Sequence, residues 1–123
     1  MPVSTESKDK LKQALQRTDE IDITVVGRKS GRPVTNIVWF ALEGDTLYLL
    51  PVKGSESQWF KNVLKNSSIK ISAGGVQGEF TANPTTDPKI VSSVVEKFRA
   101  KYGAGEVKKY YTNFDAAVVV KLS

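Results

Sequence analysis

The sequence predicts a mainly β fold of the α+β class: a six-stranded antiparallel β-barrel with about three flanking helices, formed by residues 1–123 as a single domain. Three observations carry this. Six segments are rich in β-branched and aromatic residues, several with period-two alternation. Three others place apolar residues at helical spacing. Most connections between strand segments are too short for the crossover helix that a parallel sheet demands.

The first helix is read within residues 1–18, where Ser7–Arg17 sets Leu11, Ala14 and Leu15 on one face of a charged segment. In 21-IDITVVG, Ile21, Ile23 and Val25 alternate with polar positions, as in a half-buried strand. Gly27 to Gly31 turns the chain into a longer strand, Val34 to Leu42, dense in β-formers. Gly44-Asp45 closes the next hairpin onto a third strand, 46-TLYLLPV. The period then changes. In 55-SESQWFKNVLKN, Trp59, Phe60, Val63 and Leu64 share a helical face, and Ser55 with Gln58 has capping-box spacing. Ile69–Ala73 and Gln77–Ala82, joined by Gly74-Gly75, read as two further strands. Asp87-Pro88 opens a helix with an acidic cap and proline at its first position. That helix carries Ile90, Val91, Val94, Val95 and Phe98 and stops near Tyr102-Gly103. The last run, 116-AAVVVKL, is continuously apolar, which predicts a strand covered on both sides.

Composition narrows the chemistry. The chain contains no Cys and no His, which removes disulfides, thiolate metal sites, serine–histidine triads and cysteine nucleophiles; no metal site is expected. A carboxylate, a Tyr, a Lys or a borrowed cofactor must then carry any reaction, and a redox cofactor brings its own chemistry. No apolar run approaches the ~20 residues of a membrane span, and MPVSTESKDKLKQ lacks a signal-peptide core, so a cytoplasmic location is expected. The net charge of +5 favours anionic partners, or else merely solvates the surface. No run of five like charges marks a nucleic-acid tail, and nucleic acid is not expected as a partner. A non-catalytic barrel that binds nucleic acid or stores a cofactor is the alternative from another class.

Three groups of residues could carry function. The first is the GRKSGR loop with Arg28, Lys29 and Arg32, either a solvated hairpin tip or an anion-binding turn built on backbone amides and guanidinium forks. The second is 53-KGSESQW, where glycine and two serines stand at a helix entrance that attracts anions, although Ser55 and Gln58 could simply cap the helix. A meander can bring the two loops to one end of the barrel, so that Arg28, Lys29 and Arg32 face a cavity shared with Lys53 and Ser55. The third is aromatic. Of Trp39 and Phe40, adjacent on a strand, one points to the core; Trp59 and Phe60 read as packing; Tyr110 and Tyr111 could line a substrate pocket or cover the barrel.

Together, GRKSGRPVT after the first strand and GDTLYLLPVKGSESQWFKNVLKN resemble the deazaflavin (F420)-dependent nitroreductase family, within the flavin-binding split β-barrel group that includes pyridoxamine-phosphate-oxidase-like proteins. The recognisable similarity spans about residues 21–73. It implies a split barrel, coenzyme F420, and hydride transfer from the reduced coenzyme to a nitro compound, quinone or similar small acceptor. It also implies that Arg28, Lys29, Ser30 and Arg32 contact the phosphate or acidic tail, and that Pro51, Val52, Lys53 and Gly54 run along the ring. Asn36, Ile37 and Val38 would border the ring, with Ser55, Ser57, Gln58 and Trp59 at the phosphate and helix entrance. Trp39, Tyr110 and Tyr111 are the candidate substrate contacts. Glu56, Ser57 and Gln58 stand where the family often carries a proline. Flavin mononucleotide (FMN) is the alternative cofactor, and a homodimer is the expected assembly if the chain is not a monomer.

Overall fold

Strand alternation decides how the molecule is built. Ile21, Ile23 and Val25 are fully buried on one side of β1 (Glu20–Val26), which pairs antiparallel with β2 (Pro33–Trp39) and with β5 (Ser68–Ala73). The computed structural model describes residues 5–122; residues 1–4 of the predicted first helix and Ser123 lie outside the described residues. Helix α1 (Thr5–Leu15) seats Leu11 and Leu15 in the core. The remaining elements are β3 (Ala41–Glu43), β4 (Thr46–Leu49), α2 (Gln58–Lys65), β6 (Val76–Thr85), α3 (Pro88–Tyr102), α4 (Ala104–Tyr110) and β7 (Ala117–Lys121). The strands form one antiparallel, curled half-barrel in the order β2-β1-β5-β6-β7-β4-β3. Among the described residues no helix is long and apolar enough to cross a membrane.

The α+β class is as expected, but among the described residues seven strands replace six, because the predicted Val34–Leu42 strand breaks at Phe40. Its two pieces join opposite ends of the sheet: β2 pairs with β1, and β3 with β4. At the break the Phe40 backbone is satisfied by the end of α3 instead of a neighbouring strand. Phe40 N–H donates to the Tyr102 hydroxyl (3.1 Å), and Phe40 C=O accepts from Lys101 Nζ (2.9 Å) and from Tyr102 (2.9 Å). Phe40 itself is completely buried. With its polar atoms paired, the corner can lie inside the molecule.

Among the described residues four helices stand where about three were expected. Residues 104–110, left unassigned by the sequence pattern, wind into α4 behind Gly103 and bury Val107. The capping box is also corrected. Gly54–Glu56 form a single 3-10 turn, α2 begins at Gln58 after Ser57, and Ser55 bonds elsewhere. On α2 the buried residues are Trp59, Phe60, Asn62 and Val63, whereas Leu64 is 61% exposed. Asp87 caps α3 as predicted, its carboxylate accepting from Lys89 N–H (2.9 Å). Ile90 on that helix lies outside the core.

Two apolar clusters result. One is enclosed by the half-barrel with α1 and α2; the other lies under α3 and α4 and includes Phe98, Tyr111 and Leu50. β7 serves both, with Val118 and Val120 in the first and Ala117 in the second, as the continuous apolar run implies.

Candidate functional site

The turn joining β1 to β2 is stiffened by its own backbone. Gly27 N–H donates to Arg32 C=O and Gly31 N–H to Gly27 C=O, both at 2.8 Å, and Gly31 supplies the left-handed step at φ 71°. Ser30 Oγ accepts from Arg32 N–H (3.2 Å), and Arg28 N–H donates to Asn62 Oδ1 (3.1 Å). Few amides therefore remain to cradle an anion, and the loop's positive character resides in its side chains.

Those side chains divide. Arg28 reaches across to α2, where Nη1 donates to Asn62 Oδ1 (2.8 Å) and Gln58 C=O (3.4 Å), and Nη2 to Gln58 Oε1 (2.6 Å). Lys65 Nζ donates back to Arg28 C=O (3.1 Å). Arg28 thus clamps the turn to the helix. Lys29 and Arg32 are exposed, and neither forms an ion pair among the described residues. A cavity of about 430 Å³ opens here, lined by Arg28, Lys29, Ser30, Lys65 and Asn66 with the backbone of Gly27 and Gly31.

The second loop is held by a carboxylate of the chain itself. Ser55 N–H donates to Asp115 Oδ1 (2.8 Å) and Ser55 Oγ to Asp115 Oδ2 (2.6 Å). Lys53 N–H donates to Ser57 Oγ (2.9 Å), and Thr112 ties Val52 C=O through both its N–H (2.9 Å) and its hydroxyl (3.2 Å). Gly54 sits at φ 58°, and a Cβ there would collide with Asp115 and Asn113. The Ser55 hydroxyl and amide hold the Asp115 carboxyl below the usual carboxylate range. The amide and hydroxyl of Ser55 are therefore engaged by Asp115.

A cleft of about 390 Å³ lies at the other end of the β1–β2 hairpin, lined by Glu20, Val38, Trp39, Val52, Tyr110 and Tyr111, with Ile37 and Leu50 completing its wall. Trp39 organises it. Its ring stacks on Tyr102 (4.2 Å between centroids, 10°), meets Tyr110 edge-on (5.5 Å, 79°) and is tilted against Tyr111 (6.0 Å). Burial pushes the Tyr102 phenol up to about 12 and raises that of Tyr111 as well. The single Tyr102 hydroxyl proton is shared between Phe40 C=O and Asp19 C=O (2.7 Å), fixing the rear of the stack.

The predicted residues therefore fall into three places. Val38, Val52, Trp39, Tyr110 and Tyr111 meet in the cleft, whereas Arg28, Lys29 and Ser30 line the basic cavity. Arg32, Asn36, Pro51, Lys53, Gly54, Ser55, Ser57, Gln58 and Trp59 line neither. The two predicted loops do approach one another through the Arg28–Gln58 contact, but Lys53 and Ser55 do not share the cavity of Arg28. Ser57 and Trp59 are buried. Sequence reasoning missed Glu20, Leu50, Asn62 and Asp115. Of these only Asn62 left a signal, as a polar residue on the apolar stripe of α2.

Comparison with solved structures shows this fold in other proteins. An F420-H2 dependent reductase (FDR-A) is 17% identical, with 84% of this chain and 94% of that one covered and a TM-score of 0.65. A provisionally assigned pyridoxamine 5′-phosphate oxidase from Listeria innocua is 17% identical over 92% and 90% (TM-score 0.67). HutZ, the heme storage protein from Vibrio cholerae, is 12% identical over 98% and 90% (TM-score 0.68). At these identities the likeness is one of fold. No curated protein matches the sequence. The family model described as "Uncharacterized protein conserved in bacteria (DUF2255)" matches residues 11–122, and the chain belongs to that family.

Proposed function

We propose that the protein is a reductase that binds the deazaflavin coenzyme F420 and passes hydride to a small acceptor such as a nitro compound or quinone. One observation carries this reading: the hairpin β1–β2 has a basic cavity at one end and an aromatic cleft at the other. From Pro33 to Val38 the strand runs five residues, about 17 Å. That separation suits a coenzyme whose acidic tail lies far from its ring.

The residues present fit such a group. Lys29 and Arg32, with the spare N–H groups of Arg28, would hold the acidic tail. Val38 and Val52 would border the ring, with Pro51, Lys53 and Gly54 flanking Val52 outside the cleft lining, and Trp39, Tyr110 and Tyr111 would receive the acceptor. Asp115 fixes the loop's shape through Ser55, so Ser55 and Ser57 position the ring-bordering segment. When bound, the coenzyme would supply the hydride; the chain binds, orients and excludes water. The fold likeness to an F420-H2 dependent reductase supports this reading.

Titration of the purified chain with F420 and, in parallel, with FMN, followed by Trp fluorescence, tests it. We expect saturable binding of F420 at micromolar concentration and weaker binding of FMN, whose phosphate lies closer to its ring. Tighter FMN binding would replace the coenzyme; binding of neither would overturn the reading.

A further inference from the structure

In a chain of net charge +5, the one charged residue lining the aromatic cleft is an acid, Glu20. Its carboxylate has no ion-pair partner among the described residues. Ile37, Val38, Leu50 and Val52 make the rest of the wall apolar, and the faces and edges of Trp39, Tyr110 and Tyr111 complete it. The nearby ammonium groups lie outside this lining: Lys101 stands over the Tyr102 ring at 5.1 Å, and Lys109 over Tyr110 at 5.3 Å. Trp and Tyr rings present negative faces, which attract cations, and a low-polarity wall strengthens that attraction, while the exposed Glu20 adds a screened opposite charge. An anionic ligand would meet an unfavourable charge, with no cationic group in the lining to offset its desolvation.

We infer that the cleft takes an organic cation, a quaternary ammonium or N-alkylated heteroaromatic group on a compact apolar body, set against the aromatic wall that Trp39 and Tyr110 form together, with Glu20 as its counter-charge. The cation's role as hydride acceptor rests on the proposed function; its binding does not. Whatever reducible group the acceptor carries, it also bears a positive charge.

The test uses the full chain without coenzyme, with phenyltrimethylammonium and benzenesulfonate as probes and backbone amide NMR shifts around Glu20, Trp39 and Tyr110 as readout. We expect the cation to shift these amides saturably and the sulfonate to leave them unmoved. Glu20→Gln should weaken cation binding about threefold, and Trp39→Leu should abolish it while Glu20 amide dispersion reports an intact fold. Equal binding of the sulfonate, no binding of the cation, or an unchanged affinity in Glu20→Gln would overturn the inference. A chain that binds F420 but not the cation fails here alone. One that binds the cation but neither coenzyme fails only as a reductase.

Discussion

Arg28, Lys29 and Arg32 look interchangeable in sequence, yet only Arg28 meets acceptors on α2. Its guanidinium spans Gln58 and Asn62, and Asn62 is 5% exposed, so removing the side chain loses charge-assisted hydrogen bonds to both and leaves the buried Asn62 oxygen with only the Arg28 backbone N–H. We predict that Arg28→Ala lowers unfolding free energy by about 2 kcal/mol in urea denaturation. Lys29→Ala, an exposed change without such partners, should stay within about 0.5 kcal/mol of the parent. Equal stabilities for the two variants would contradict the division of roles. That division was invisible in the sequence because it depends on what lies opposite the turn, and α2 is contributed from more than thirty residues away. Asp115 was hidden for the same reason: sixty residues separate it from Ser55.

At the scale of elements, the break between β2 and β3 depends on Tyr102 and Lys101 at the end of α3. The run PVTNIVWFALE shows no interruption of its own, so the corner could not be read locally. Helix α4 was obscured by Gly103 and Gly105, which weaken any local helical signal. By contrast, β1, β5, β7 and the Asp87-Pro88 start of α3 were legible, because burial alternation and capping chemistry are local. The Tyr102 corner also titrates. Its phenol is raised to about 12 by burial, so the fold favours the neutral form. The stability this contributes is complete below pH ~10 and is lost as pH rises through about 12. We predict a fall in the urea midpoint over that window, and that Tyr102→Phe, weaker at neutral pH by about 1 kcal/mol, shows a shallower fall. An equally steep fall in the variant would place the alkaline transition elsewhere.

For the whole molecule, the half-barrel leaves β2 at the sheet edge with one long side unpaired. Ile37 is 69% exposed there, and Val34 is exposed as well. The unpaired edge from Val34 to Trp39, with Val34 and Ile37 exposed, is a template for a second copy, and we propose a homodimer formed across it. Sedimentation should show a dimer for the parent chain and a monomer for Ile37→Lys; a monomeric parent would exclude that assembly. The α+β class and much of the element order were legible from periodicity. The division of the candidate residues between a basic cavity and an aromatic cleft was not, because it follows from how the sheet curls. The central claim is that one coenzyme spans those two sites. Calorimetric titration of Lys29→Ala/Arg32→Ala with F420 tests it most directly, with thermal melting to show that the fold persists. Affinity should fall at least tenfold with the melting temperature unchanged; affinity equal to that of the parent chain would contradict a coenzyme that spans both sites.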